Sequence, residues 1–229
     1  MSIGQYCYFC RCKLFDVRTI LKTNFYFFIP YLIFIISGGL LLAIHSKVNI
    51  HLIFNSFHTT FLDSFFFYIT YLGDGTTALL VVIMLLAVKY RYALIVGLSN
   101  IIASSITQVL KQTLFADVVR PKKYFEGIYD LYFVPGVDNY FYYSFPSGHA
   151  TTAFALYFSL SLIVKNNTLK LLFFIIALLI GYSRVYLSQH FFGDVYAGSL
   201  IGVVVTILLY QTIQKIQADW LERSLISSF

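Results

Sequence analysis

A histidine and an aspartate near the C-terminal end of the chain are spaced to act as a pair. His190 and Asp194 are four residues apart, and this spacing lets both side chains face each other on one helical turn. A carboxylate behind an imidazole fixes its tautomer and stabilises its cation, which leaves the other ring nitrogen free to attack an electrophile. A buried pair that only holds two helices together would show the same pattern, so both interpretations stay open at this point.

A second histidine follows a turn with the features of an anion site. Residues 145–152 have the sequence FPSGHATT. Ser147 is a residue type that caps helix N-termini, and Gly148 lets a ligand approach the backbone closely. The free N–H groups at a helix start bind anions, and His149 would project from the first turn beside that anion. An ordinary capped helix start explains Ser147 and Gly148 but leaves His149 without a role.

Three basic side chains could complete a site for phosphate. Arg120 precedes a proline and offers a planar fork that suits phosphate oxygens, and Arg184 ends an apolar segment close to the histidine–aspartate pair. Lys111 ends a polar helical face with spacings of four, four and three residues: Asn100, Ser104, Gln108 and Lys111. Polar side chains in a membrane helix face the bundle interior, and snorkelling of Lys111 to the interface is the alternative.

The elements that must position these residues are membrane helices. Of the 229 residues, 59% are hydrophobic and 11% are charged, whereas soluble domains average about 45–50% and about 25%. These values exclude a soluble domain and a disordered chain, and they predict an all-α polytopic membrane protein with a single domain over residues 1–229. The net charge of +6 is not concentrated in a basic run, so we expect no nucleic-acid partner.

Six apolar segments are candidates for transmembrane helices, which need about 20 residues to cross the hydrocarbon. They are Phe25–Ile44, Thr76–Val88, Tyr92–Leu114, Ala150–Val164, Leu169–Leu187 and Val195–Ile213. Between the first two lies His51–Leu72, which is apolar but interrupted by polar residues. We predict an interfacial helix there, with a seventh span as the alternative. A long loop, Phe115–Phe145, precedes the fourth span.

The distribution of basic residues predicts the orientation. With six spans, one side collects Arg11, Lys13, Arg18, Lys22, Lys89, Arg91, Lys165, Lys170, Lys215 and Arg223. We therefore expect a multi-pass protein of the inner membrane, with the N-terminal segment 1–24 and the C-terminus in the cytoplasm. The opposite, periplasmic or outer, face collects Lys111, Arg120, Ser147, Gly148, His149, Arg184, His190 and Asp194. Three cations, helix N–H groups and two histidines within residues 111–194 describe a phosphate pocket.

Some residues and properties give no sign of a further function. No cluster with metal-ligand spacing accompanies the pocket, so we expect no metal and no other cofactor. Cys7 and Cys10 form a C-x-x-C without a second pair. We expect them and Cys12 to be reduced thiols, with palmitoylation as the alternative. The sequence carries no signal for the oligomeric state.

These motifs resemble those of the phosphatidic acid phosphatase type 2 superfamily of membrane lipid phosphatases, which is related to vanadium haloperoxidases. That family carries a Lys followed by Arg-Pro, then Pro-Ser-Gly-His, then Ser-Arg, five residues, His, three residues and Asp. The second motif matches at Pro146–His149, and the third matches at Ser183, Arg184, His190 and Asp194. The first motif departs from the family pattern, because eight residues separate Lys111 from Arg120, whereas the family usually has six.

The resemblance implies a lipid phosphate phosphatase that needs no metal. His190 would attack phosphorus and form a phosphohistidine, Asp194 would orient His190, and His149 would protonate the leaving lipid oxygen. The phosphate would be held by Lys111, Arg120, Ser147, Gly148 and Arg184. Substrates in the family are phosphatidic acid, phosphatidylglycerophosphate, undecaprenyl diphosphate and lipid A phosphates, and the sequence does not choose among these monoesters and diphosphates. A phosphotransferase that uses the same histidine, and a non-enzymatic lipid transporter or scaffold, are the alternatives.

Overall fold

The structure, a computed structural model, describes residues 17–226, a stretch that contains helices and no β-strand. In chain order the helices are α1 (Val17–Thr23), α2 (Phe25–Ile44), α3 (Lys47–Asn55), α4 (Thr60–Ile69), α5 (Gly75–Val88), α6 (Tyr90–Thr113), α7 (Pro121–Phe125), α8 (Gly148–Ile163), α9 (Asn167–Tyr186) and α10 (Phe192–Gln214). Short 3-10 helices cover Thr70–Gly73 and Asp219–Glu222. The three cysteines lie outside the described residues.

Four of these helices, α2, α6, α9 and α10, are long and apolar enough to cross a membrane. A fifth candidate is a bent pair, in which Thr60–Gly73 and Gly75–Val88 meet at an angle of 53°. The predicted all-helical membrane fold is therefore confirmed, and the first span has the predicted bounds, Phe25–Ile44. The count of six spans stays a prediction, because α8 is too short to be among these candidates.

Helix α8, which corresponds to the predicted fourth span, lies at the centre of the bundle. Its 16 residues extend about 24 Å at 1.5 Å per residue, which is less than the ~30 Å of a typical hydrocarbon core. Eleven of them are buried, because α6, α9 and α10 pack around the helix. These neighbours shield α8 from lipid, so α8 does not need the length of a lipid-facing helix.

Small residues on α10 let that helix approach α8 closely. A Cβ atom at Gly202 would lie 2.6 Å from the carbonyl oxygen of Thr151 and 2.9 Å from the amide nitrogen of Ala155. A Cβ atom at Gly198, four residues earlier, would lie 2.6 Å from the carbonyl oxygen of Ser147. This spacing of glycines brings helix backbones together in membranes, and here it sets the position of the first turn of α8.

Pairs of hydroxyl groups join α8 to α6. Thr107 and Thr151 lie 3.0 Å apart through their Oγ1 atoms, and Ser104 Oγ lies 3.3 Å from Thr152 Oγ1. The polar face of α6 therefore turns inward as predicted, but with one correction: Gln108 is exposed, and the buried polar residue at that level is Thr107. Lys111 continues the buried face toward the end of α6.

The segment between the first two predicted spans differs from the single interfacial helix expected there. It contains the end of α3, the whole of α4 and most of the following 3-10 helix. The break lies at residues 56–59, where the side chain of Thr59 accepts a hydrogen bond from the amide of Leu62 and so starts α4. A residue that caps a helix N-terminus ends any continuous helix through the segment.

Candidate active site

The side chains of His190 and Asp194 meet at the junction of α9 and α10. His190 Nδ1 lies 3.3 Å from Asp194 Oδ2, and the two side chains are 2% and 6% exposed. The two residues were predicted to share one helical turn. Instead, His190 lies in the turn before α10, which begins at Phe192, and Asp194 lies in the first turn of that helix. Since Nδ1 faces the carboxylate, Nε2 is the nitrogen left for chemistry.

The carboxylate of Asp194 is held by more than its histidine. Its Oδ2 atom accepts hydrogen bonds from Ser144 Oγ at 2.5 Å and from the amide of Phe191 at 3.0 Å. The backbone carbonyl of Asp194 accepts from the amide of Ser147 at 2.9 Å, which joins the turn before α10 to the start of α8. Sequence reasoning missed Ser144, because an isolated serine in a loop carries no signal of its own.

His190 is surrounded by positive charge. Burial lowers the pKa of His190 well below its ordinary value, and the neighbouring cations Arg120, Lys111 and Arg184 lower it further. The imidazole is therefore neutral at physiological pH, and a neutral imidazole is the form that attacks an electrophile. The same cations would stabilise an anion bound next to Nε2.

The two arginines are fixed in place by a shared partner, Gln189. Arg120 Nη1 and Arg184 Nη2 both donate to Gln189 Oε1, at 3.2 Å and 3.3 Å. The amide of Gln189 in turn donates to the carbonyl oxygen of Asp138 at 2.5 Å, which ties the arginines to the long loop. Gln189 lies one residue before His190, but it was not among the predicted site residues.

Two buried donors point to an anion at this position. Arg184 Nε is buried without a hydrogen-bond partner. The buried Lys111 has no ion pair among the described residues, and it interacts electrostatically with Arg120, Arg184 and Asp194. Unpaired cations inside a membrane protein are costly, and they are typical of binding sites. A phosphate would satisfy these donors.

The start of α8 has the geometry predicted for an anion-binding helix terminus. Ser147 is buried, and its side chain caps α8 by accepting from the amide of Ala150. A Cβ atom built on Gly148 would meet nothing within 4 Å, so the space around it is open. His149 lies at the edge of this space, with Nε2 2.6 Å from Asp74 Oδ1.

All eight predicted site residues therefore converge on one end of the bundle. They reach it from the end of α6, the long loop, the start of α8, the end of α9 and the start of α10. Two further residues come from the 3-10 helix before α5 and the residue after it. The hydroxyl of Thr70 accepts from Arg184 Nη1 at 2.7 Å, and the carboxylate of Asp74 contacts His149. Sequence reasoning missed both residues, because nothing in their local pattern indicates contact with the site.

The chain is similar to known proteins over the region that carries these residues. Residues 91–218, more than half of the chain, match the family model described as PAP2 superfamily. A lipid A 4'-phosphatase of Porphyromonas gingivalis is 30% identical over 82 residues, which are 36% of this chain and 35% of that protein. The match thus spans about a third of the length of this curated relative.

Two crystal structures have the same architecture. LpxE of Aquifex aeolicus aligns with a TM-score of 0.63 and 27% identity, over 71% of this chain and 93% of that one. A transmembrane PAP2 type phosphatidylglycerolphosphate phosphatase from Bacillus subtilis aligns with a TM-score of 0.55 and 26% identity, over 82% of this chain and 96% of that one.

Proposed function

This chain belongs to the PAP2 superfamily, and from that premise we propose that it is an integral membrane phosphatase that hydrolyses the phosphate of a lipid. The observation that carries the proposal is the cluster of buried cations beside the neutral ring of His190: Arg184, whose Nε has no hydrogen-bond partner, and Lys111, which has no ion pair among the described residues. A bound phosphate would compensate these cations and accept hydrogen bonds from them. The two relatives whose names state an activity, a lipid A 4'-phosphatase and a phosphatidylglycerolphosphate phosphatase, act on lipid phosphates, which agrees with this chemistry.

In the first step, His190 Nε2 attacks phosphorus and the bond from phosphorus to the lipid oxygen breaks. Asp194 accepts the Nδ1 hydrogen bond and stabilises the positive charge that develops on the ring. His149 gives its proton to the leaving oxygen. The products of this step are the dephosphorylated lipid and a phosphohistidine at position 190.

In the second step, water attacks the phosphohistidine and the phosphorus–nitrogen bond breaks. His149 takes a proton from that water, which restores both histidines. Throughout the reaction the phosphate oxygens are held by Lys111, Arg120, Arg184, Ser147 and the amide of Gly148. The chain's own cations stabilise the charge in this mechanism, so it requires no metal.

Exposed aromatic side chains in the loop that supplies Arg120 support a lipid as the substrate. They lie in the long loop: Tyr129, Tyr132, Tyr140, Phe141, Tyr142 and Tyr143. Aromatic side chains of this kind are enriched where a membrane meets water. We propose that this end of the bundle faces the periplasm or the outside, and that the phosphate of an outer-leaflet lipid enters from the side.

Phosphate release from purified protein in detergent, with EDTA present, tests the proposal. The substrates are phosphatidic acid, phosphatidylglycerophosphate, undecaprenyl diphosphate and lipid A. We expect release by the wild type and by His45→Ala, a control at an exposed histidine between α2 and α3, and loss of release in His190→Ala. Equal release by His190→Ala would overturn the assignment of the nucleophile, and loss in EDTA alone would overturn metal independence.

The same assay separates hydrolysis from transfer. If labelled phosphate moves from the lipid to His190 but leaves only after another alcohol is added, the protein is a phosphotransferase and not a hydrolase. If neither free phosphate nor a labelled protein forms from any lipid of the panel, a non-enzymatic role replaces the proposed function.

A further inference from the structure

The turn formed by the 3-10 helix Thr70–Gly73 and Asp74 contributes two side chains to the site, although it contains none of the recognised motifs. Thr70 accepts a hydrogen bond from Arg184 Nη1. Four residues later, the carboxylate of Asp74 contacts Nε2 of His149 at 2.6 Å. The turn therefore touches a phosphate-binding arginine and the histidine proposed as the acid.

Packing holds this turn tightly against the bundle. Gly73 is buried, and a Cβ atom there would clash with Ile180 Cγ2 and lie 3.3 Å from the carbonyl oxygen of His149. Tyr157 in α8 donates to the carbonyl oxygen of Leu72 at 3.3 Å. Because the backbone on the N-terminal side of Asp74 is fixed, the position of its carboxylate is set by the fold.

The charges around His149 make this carboxylate important. The groups that face its ring are Arg184 from α9, Lys111 from α6, His190 from the turn before α10, and Asp74. Burial of the ring disfavours a positive charge on it, and Arg184 and Lys111 disfavour that charge further. An acid that donates a proton must nevertheless carry that proton when the substrate binds. Asp74 is the carboxylate that contacts His149 among residues 17–226.

We propose that Asp74 is a positioning residue for the acid step: it holds the Nε2 hydrogen of His149, favours the protonated ring against its surroundings, and leaves Nδ1 to donate to the lipid oxygen. This inference rests on the proposed function. In the step itself, the proton on Nδ1 moves to the leaving oxygen as the bond from phosphorus to that oxygen breaks. The ring becomes neutral, and it takes a proton back from water in the second step.

The two histidine–aspartate pairs then have opposite arrangements that match opposite tasks. Asp194 contacts Nδ1 of His190 and leaves Nε2, whereas Asp74 contacts Nε2 of His149 and leaves Nδ1. The first pair is almost fully buried, at 2% and 6% exposure, which suits a neutral nucleophile. The second pair is about one-third exposed, at 32% and 31%, so it can exchange a proton with water.

The pH dependence of kcat tests this role, with dioctanoyl phosphatidic acid in detergent micelles as the substrate. The variants are Asp74→Asn, His149→Ala and the double variant, with Asp130→Asn as a control at an exposed carboxylate of the long loop. In Asp74→Asn we expect kcat to fall at least tenfold with KM unchanged. The fall should be smaller than the about 10²–10⁴-fold loss expected when the general acid itself is removed. We also expect the alkaline limb of the profile to move about one pH unit lower.

Coupling between the two residues gives a second readout. In the double variant, kcat should equal that of His149→Ala alone, because Asp74 acts through His149. Asp74→Glu keeps the charge, so we expect it to keep the alkaline limb near its wild-type position even where kcat is reduced. This variant decides the question if Asp74→Asn does not fold.

Three results would overturn the inference. They are an alkaline limb that stays in place in Asp74→Asn, an additive loss in the double variant, or a limb in Asp74→Glu that moves as far as in Asp74→Asn. These failures are distinct from a failure of the proposed function. If His190→Ala is inactive and Asp74→Asn behaves like Asp130→Asn, the phosphatase mechanism stands and the role of Asp74 alone is rejected.

Discussion

Replacing Gly148 by alanine probes the open space at the helix terminus of α8. A Cβ atom at this position meets nothing within 4 Å, so the fold accepts it without strain. The methyl group would, however, occupy the space through which a phosphate oxygen approaches the Gly148 amide. A matched control exists at Gly75, which is also the first residue of a helix and whose Cβ atom would also meet nothing within 4 Å.

The structure sets the size of the two effects. Because neither methyl group clashes, each substitution should change the free energy of unfolding by no more than about 1 kcal/mol, mostly by restricting the unfolded chain. Loss of one preorganised donor to a developing oxyanion costs about 10²–10³ in rate. We therefore expect Gly148→Ala to lose phosphate release by about that factor and Gly75→Ala to keep it.

The assay combines kcat/KM for phosphate release with thermal unfolding in the same detergent. Wild-type kcat/KM in Gly148→Ala would refute the reasoning, since the amide would then not lie against the phosphate. A large fall in unfolding temperature in Gly148→Ala but not in Gly75→Ala would also refute it, because the space around Gly148 would then not be open.

Three further predictions follow from the buried contacts. Burial and the neighbouring cations hold the pKa of His190 well below its ordinary value, so its ring should stay neutral through the usual histidine range; a nitrogen NMR titration that shows His190 protonating at or above pH 6.5 would contradict this. Gly202→Ala forces a Cβ atom to within 2.6 Å of backbone on α8 and should destabilise the protein by about 1–3 kcal/mol in thermal unfolding. Gly97→Ala, whose Cβ atom would meet only Val82 at 3.6 Å, should not destabilise the protein. Equal unfolding temperatures for Gly202→Ala and Gly97→Ala would reject the close approach of α10 to α8. Ser144→Ala removes a hydrogen bond to the Asp194 carboxylate, worth about 1.5–3 kcal/mol, and should lower kcat and stability together; unchanged kinetics would show that the serine does not support the pair.

Much of the fold was predictable because the membrane imposes simple patterns. A long apolar run such as Phe25–Ile44 has few alternatives to a spanning helix, since every backbone polar group must be satisfied within the segment. Helix lengths were predicted less well where other helices, and not lipid, surround the helix. Helix α8 is short because other helices cover it, and a hydropathy pattern cannot anticipate that cover.

The motif residues were recognisable from their types and spacing, but their supports were not. Ser144 and Gln189 are ordinary polar residues, and their contacts with Asp194 and with the arginines exist only after the long loop and the turn before α10 have packed together. The same limit explains the error at Gln108. A helical face inferred from spacing is uncertain by a fraction of a turn, and the packing of α8 against α6 selected Thr107 instead.

The sequence by itself determined the environment of the fold, because an apolar, weakly charged chain must fold as membrane helices. It also determined the chemistry, because it contains histidine, aspartate, arginine and lysine residues whose spacings suit phosphate. The tertiary structure decided which charges meet. Asp74 lies 75 residues before His149 in the chain, and no local pattern relates them. They are in contact because Gly73 leaves room for the turn to pack against α8 and α9, and contacts between distant segments depend on packing, which local spacing does not encode.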